Sequence, residues 1–285
     1  MKKIKIFNDK LSIELSKTGA EMKSLKYKGK ERLWDGNPEV WSGQAPLLFP
    51  ICGGLKNDEY IYNGKSYTIP KHGFARRKTF DLESCADNSA VFILKSNDET
   101  KKCYPFDFEL RVMYTVEDST VAVEYDVKNT GNGAMYFSIG SHEAYSCPGG
   151  IENYSIEFKK EEKLNASLLD GNLLRYEIVP VPTDGKILHL RDEYFENDAI
   201  VLTDLKSRSV VLKRNTGNER IRVDFCECPY LLLWMIPGAE YICIEPWNGI
   251  PDYVDSDCRI ENKKGIIAIK SDETKIIRHT ISFAD

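Results

Sequence analysis

Residues 106–128 read FDFELRVMYTVEDSTVAVEYDVK, and the alternation in this stretch decides the fold class. Phe106 to Val116 and Ser119 to Lys128 both alternate apolar with polar residues. Successive side chains of an extended chain point to opposite sides, so Val121, Val123, Tyr125 and Val127 share one face. Glu117-Asp118 joins the two runs as a turn. The pattern predicts a half-buried antiparallel hairpin, apolar toward a core and polar toward water.

The same period extends outward in both directions. Tyr60 to Ile69 contains Asn63-Gly64, the preferred two-residue turn between twisted strands, and predicts a second hairpin. Lys3 to Ile6 and Leu11 to Leu15 alternate around Asn8-Asp9 as an opening hairpin. Further strands are expected at Ala199 to Leu202, Ser209 to Leu212, Ile221 to Phe225, Leu231 to Trp234, Gly265 to Ile269 and Lys275 to Phe283. Tyr241 to Ile244 is dense enough in apolar residues for a core strand, which Pro246 should end with Glu245 at its rim. Leu164 to Pro182 is read as a long loop. Few segments keep the helical period of 3.6, and strands do not alternate with helices, which excludes Rossmann and TIM-barrel folds. An all-β sandwich of many antiparallel strands, one domain over residues 1–285, is the expectation.

Composition agrees with a globular chain: 42% apolar and 29% charged residues. A net charge of -5 disfavours nucleic acid as a partner. No apolar run is long enough to span a bilayer, and the N-terminal residues lack a hydrophobic signal core, so a cytoplasmic protein without membrane contact is expected, either monomer or homodimer. The eight cysteines show no CxxC spacing. Cys226 and Cys228 would share a face of a strand, but no further zinc ligands stand at a recognisable spacing, so reduced thiols and no metal are expected. Neither a P-loop nor GxGxxG occurs, and no cofactor is expected.

The residues able to carry chemistry cluster in turn contexts. Glu245 precedes Pro246, with Trp247 beside it as an apolar wall for a sugar ring. His72 follows Pro70 and precedes Gly73 in a segment that also carries Lys71, Arg76 and Arg77, a set suited to hydroxyls or to a phosphate. His142 lies among small residues, and an imidazole titrating near neutrality suits an acid whose partner base is a carboxylate. His189 and His279 are expected to be structural. Asp198 and the aromatic group Trp41, Phe49, Trp234 and Trp247 complete a carbohydrate-like set. Ser138 and Ser141 beside His142 raise a serine hydrolase and Cys147 raises a thiol nucleophile, but there is no GxSxG elbow.

Four segments in order, PLLFPICG from Pro46, KHGFAR from Lys71, SIGSHEAY from Ser138 and IEPWNGIPD from Ile244, resemble the aldose 1-epimerase (galactose mutarotase) family, in particular its LacX-like branch. The resemblance implies a galactose mutarotase-like supersandwich with an open sugar cleft and cofactor-free interconversion of the anomers of an aldohexose. Position by position, it makes His142 the general acid that protonates the ring oxygen and Glu245 the general base on the C1 hydroxyl. His72 and Asp198 become sugar-binding residues. One departure is Gly54, where relatives of the branch usually carry arginine after the FPxxG motif; Arg76 is the cation that could substitute. A non-catalytic carbohydrate-binding protein and a hexose-6-phosphate epimerase follow as alternatives, the latter through Lys71, Arg76 and Arg77.

Overall fold

The computed structural model describes residues 4–284. Among them, nine strands form one antiparallel sheet in the order Ile187–His189, Tyr154–Phe158, Ser209–Arg214, Arg220–Asp224, Thr274–Ala284, Thr120–Asn129, Phe108–Glu117, Ser89–Lys95 and Asp81–Ala86. A seven-stranded sheet packs against it. Its strands are Ile139–Gly140 and Glu143–Ser146 along one side of Tyr241–Asn248, followed by Tyr230–Trp234, Ile200–Leu202, Asn165–Asp170 and Leu173–Pro180. The N-terminal strands Ile4–Phe7, Leu11–Leu15, Met22–Tyr27 and Lys30–Glu31 make a separate small sheet. Helix is confined to Asp98–Lys101 and short 3-10 turns among the described residues. The described residues form an antiparallel β-sandwich.

The central hairpin behaves as its alternation requires. Val121, Val123, Tyr125 and Val127 are buried, and they share one core with Leu231, Leu233, Ile242 and Ile244 of the second sheet. Each such aliphatic side chain contributes about 1.5–3 kcal/mol on leaving water. Thr120 pairs with Glu117, so the turn is Asp118-Ser119, one residue later than expected. Asn63 and Gly64 both have positive φ, as a primed turn between Tyr62 and Lys65 demands. Of the opening hairpin, Lys3 lies outside the described residues.

Three expectations are corrected. Leu164 to Pro182 is a hairpin, Asn165–Asp170 with Leu173–Pro180. Its two-residue turn begins with Gly171 at φ +58°, as a type II′ turn requires. Cys226 and Cys228 share no face, because the strand ends at Asp224; Cys226 is exposed while Cys228 is buried. Glu245 is not at a strand rim. The strand Tyr241–Asn248 runs on through Pro246, and Glu245 projects from the middle of the sheet, opposite Leu232.

Pro246 leaves its mark on the neighbouring chain. Its carbonyl accepts the Ser141 N–H at 3.2 Å, so its nitrogen, which carries no hydrogen, faces the same neighbour. There the pairing breaks: Ile139–Gly140 lies before the gap and Glu143–Ser146 after it, with Ser141 and His142 between. The missing donor opens the place that His142 fills.

Candidate active site

The outer face of the seven-stranded sheet is set by alternation along Tyr241–Asn248. Ile242 and Ile244 enter the core between the sheets, whereas Glu245 and Trp247 line a cavity of about 300 Å³ on the opposite face. Leu232, across from Glu245, lies in the floor, and Trp41 and Trp234 stand at one side.

His142 enters from the break opposite Pro246. Its Nε2 lies 3.4 Å from Glu245 Oε2. Its ring stacks on Trp41 with centroids 5.1 Å apart and meets Trp234 edge-on at 5.6 Å. Two indoles fix the imidazole plane. His142 Nδ1 and Glu245 Oε2 are buried and accept or donate no hydrogen bond. Burial pushes the His142 imidazolium down to about 3. Burial also pushes the Glu245 carboxyl well above the usual carboxylate range; Lys71 opposes this, while Glu143 and Asp198 add to it. Burial thus disfavours the charged form of both partners, the imidazolium of His142 and the carboxylate of Glu245.

His72 closes the other side. It has φ +67° and is followed by Gly73, also at +67°, where a Cβ would overlap the Phe49 carbonyl. This strained turn is held by two bonds to one residue: His72 N–H donates to Gly53 O at 2.9 Å, and Gly53 N–H donates to His72 Nδ1 at 3.2 Å. An Nδ1 that accepts leaves Nε2 as the protonated nitrogen. Burial, followed by the nearby His142, lowers the His72 pKa, which keeps this ring a neutral donor. The two imidazoles lie 5.8 Å apart, centroid to centroid.

Asp198 and Lys71 form the rim, Lys71 Nζ 3.9 Å from Asp198 Oδ2. Arg76 lines the cavity, donates from Nη2 to Lys71 O at 3.0 Å, and has a buried Nε without a partner. Arg77 is not among the lining residues. Trp247 donates its indole N–H to Ser141 O at 3.0 Å and is 3% exposed, so it braces the His142 segment as much as it forms a wall. Six of the residues singled out for a site, His72, Arg76, His142, Asp198, Glu245 and Trp247, thus meet at one cavity. Of the aromatic group, Phe49 does not; it is a core residue.

The remaining histidines lie elsewhere. His189 is exposed at the end of Ile187–His189, and His279 is buried in the core, its Nε2 3.0 Å from Glu143 Oε1.

Residues 2–255 match the aldose 1-epimerase family profile. The chain belongs to the aldose 1-epimerase family. It is 37% identical, over 282 residues covering 93% of this chain and 94% of its relative, to the plasmid form of protein LacX from Lactococcus lactis subsp. lactis. Its fold superposes with a TM-score of 0.95 on a galactose mutarotase related enzyme from Lactobacillus acidophilus, at 32% identity, covering 100% of this chain and 98% of that one. A galactose mutarotase-like protein from Lactobacillus casei ATCC 334 gives a TM-score of 0.93 at 26% identity, covering 99% and 100% of the two chains.

Next to the cavity-lining Gly53 of this epimerase-family chain, Gly54 stands where the resemblance implies arginine. A Cβ there would lie 2.7 Å from Asn172 Cβ and 2.9 Å from its carbonyl oxygen. The tip of the hairpin missed in the sequence fills that space, and Asn172 and Leu169 join the cavity wall. Alternation in this hairpin is obscured by the doublets Leu168-Leu169 and Leu173-Leu174, so only Gly171-Asn172, a plausible turn, marked it in the sequence.

Proposed function

We propose that this protein interconverts the α and β anomers of an aldohexose, with His142 and Glu245 as the proton-transferring pair. The observation that supports this reading is the 3.4 Å separation of His142 Nε2 and Glu245 Oε2 on the floor of a cavity whose far side carries a neutral histidine donor.

The anomeric hydroxyl donates a hydrogen bond to Glu245, which stabilises the carboxylate and moves the pair's proton to His142. His142 then protonates the ring oxygen while Glu245 removes the C1 hydroxyl proton. The C1–O5 electron pair passes to O5 and a C1 carbonyl forms. Rotation about C1–C2 presents the other carbonyl face, and reversal of the transfers closes the ring as the other anomer. Each turnover returns the proton to its starting residue. His72 Nε2–H holds the ring oxygen or a neighbouring hydroxyl, Asp198 and Asn172 take hydroxyls, and the indoles give an apolar face for sugar C–H groups.

Polarimetry of freshly dissolved α-glucose or α-galactose tests the pair. General acid–base catalysis contributes typically 10² to 10⁴, so Glu245→Gln and His142→Asn should each slow mutarotation by about that factor. Wild-type rates in Glu245→Gln would remove the proposal. Saturable sugar binding with no rate above buffer in the wild type would instead assign a carbohydrate-binding role. A phosphorylated hexose is the second reading, supported by Lys71 and Arg76 in the wall; a preference for the 6-phosphate that disappears in Arg76→Ala would carry it.

A further inference from the structure

Cys243 lies two residues before Glu245, on the same face of the strand, and takes no part in the chemistry above. A ring nitrogen of His142, Cys243 Sγ and a carboxylate oxygen of Glu245 all lie within 4.8 Å of one another, and all three residues are buried. These are the three donor types of open tetrahedral metal sites, where protein supplies three ligands and the fourth position is left to water or substrate.

The spacing fits. Ligand bonds of about 2.1 Å at the tetrahedral angle place a nitrogen and an oxygen about 3.4 Å apart, and His142 Nε2 and Glu245 Oε2 stand 3.4 Å apart. The thiol lies within 4.8 Å of both, so at most about 1 Å of closure brings it to a bond of about 2.3 Å. The carboxylate donor is also unclaimed: the buried Glu245 Oε2 has no hydrogen-bond partner in the described structure. His142 and Glu245 line the cavity, which supplies both an entry path and the open fourth position.

The geometry points to a site for a soft divalent cation, Zn²⁺ or Cd²⁺, on His142, Cys243 and Glu245, whose occupancy excludes the sugar and silences the proton pair. A thiolate among the ligands selects soft ions over Mg²⁺ or Ca²⁺. The ion displaces the Cys243 thiol proton and the proton shared by the pair to water, and no electron is transferred. With both the acid and the base tied to the metal, ring opening has neither partner. The silencing half rests on the proposed function; the binding half does not.

Titration of the full chain with Cd²⁺, followed by the ultraviolet thiolate-to-cadmium absorption, reads the site directly. Wild type should bind a single equivalent that galactose displaces. Loss of an outer-shell partner alone costs typically 10- to 100-fold, so Cys243→Ser, which loses a ligand, should weaken binding at least about tenfold and abolish the galactose-sensitive band. In the mutarotase assay, micromolar Zn²⁺ should stop the wild type and spare Cys243→Ser. Cys243→Ala provides the same comparison should the serine variant fold poorly, with a Zn²⁺-dependent rise in melting temperature of the wild type as a second readout. An unchanged Cd²⁺ band in both variants would assign the metal to the exposed Cys85 and Cys226 and overturn the proposal. Equal Zn²⁺ inhibition of wild type and both variants would overturn it too. A chain that binds Cd²⁺ through Cys243 but does not mutarotate would instead count against the proposed function alone.

Discussion

Asp252→Asn should cost far more stability than a surface substitution and should disturb sugar binding at the same time. Asp252 and Lys263 form an ion pair at 2.9 Å with side chains 4% and 3% exposed. Lys263 Nζ also donates to Ile250 O at 2.6 Å, and Asp252 Oδ2 accepts the Lys56 N–H at 3.1 Å. The Asp252 backbone ties two cavity walls together: its N–H donates to Gly54 O at 2.9 Å and its carbonyl accepts from Leu174 N–H at 2.7 Å. Asparagine keeps one acceptor where two are needed and leaves a buried ammonium unpaired. Breaking a buried pair from one side costs about 3–5 kcal/mol. With an unfolding entropy of roughly 2.1 cal/mol/K per residue and 285 residues, the melting temperature should fall by about 5 to 8 °C. Burial lowers the Lys263 pKa, and the Asp252 charge opposes that shift. Removing the charge lowers it further. The unfolded chain then binds more protons than the folded one between the shifted value and about 10.4, so stability rises with pH across that window. The deficit of Asp252→Asn should therefore shrink as pH rises toward about 10.4 in urea titrations followed by circular dichroism. KM for the sugar should rise through the loosened Pro251 and Asn172. An unfolding free energy within about 1 kcal/mol of wild type, or a deficit independent of pH, would refute the role of the pair.

Three other outcomes can be checked. Gly54→Ala forces the hairpin tip off the cavity wall, so KM for the sugar should rise several-fold with kcat nearly kept; Asn172→Gly, which removes the Cβ half of the contact, should recover part of the loss in the double variant. Glu245→Gln should gain stability relative to wild type as pH rises. A carboxyl whose folded pKa is raised contributes stability below its unfolded pKa of about 4.3 and loses it as pH climbs through the folded value; the neutral amide does not, so the melting-temperature difference should move in the variant's favour from pH 5 to pH 8, and the reverse trend would contradict the burial of that carboxyl. Trp41→Ala removes the ring stacked on His142, so kcat should fall by more than tenfold in the polarimetric assay, about the factor that 1.4 kcal/mol of lost positioning gives.

The half-buried hairpins were legible in the sequence because their alternation is uninterrupted: Val121 to Val127 needs no tertiary context to declare its core face. The residues that meet at the cavity were legible by type, and His72 also by turn context, since His72-Gly73 announces unusual backbone. What surrounds them was not. Pro246 reads locally as a strand terminator, whereas the strand continues because its neighbour gives way at Ser141-His142. The Asn165–Asp170 and Leu173–Pro180 hairpin has an edge strand with Tyr176 and Ile178 exposed, so no inward period reveals it. Cys243 lies close to Glu245 in sequence, but His142 reaches both from about a hundred residues away, which no spacing rule collects.

The imino acid at position 246 has a wider consequence. The separation of His142 and Glu245 is set first by main-chain pairing, where one hydrogen is absent from a ladder, and then by the indoles that hold the imidazole. Under the proposed function, the opposite walls, Asn172 and Lys71 among them, are then where a change of sugar specificity should be sought, with the pair left untouched.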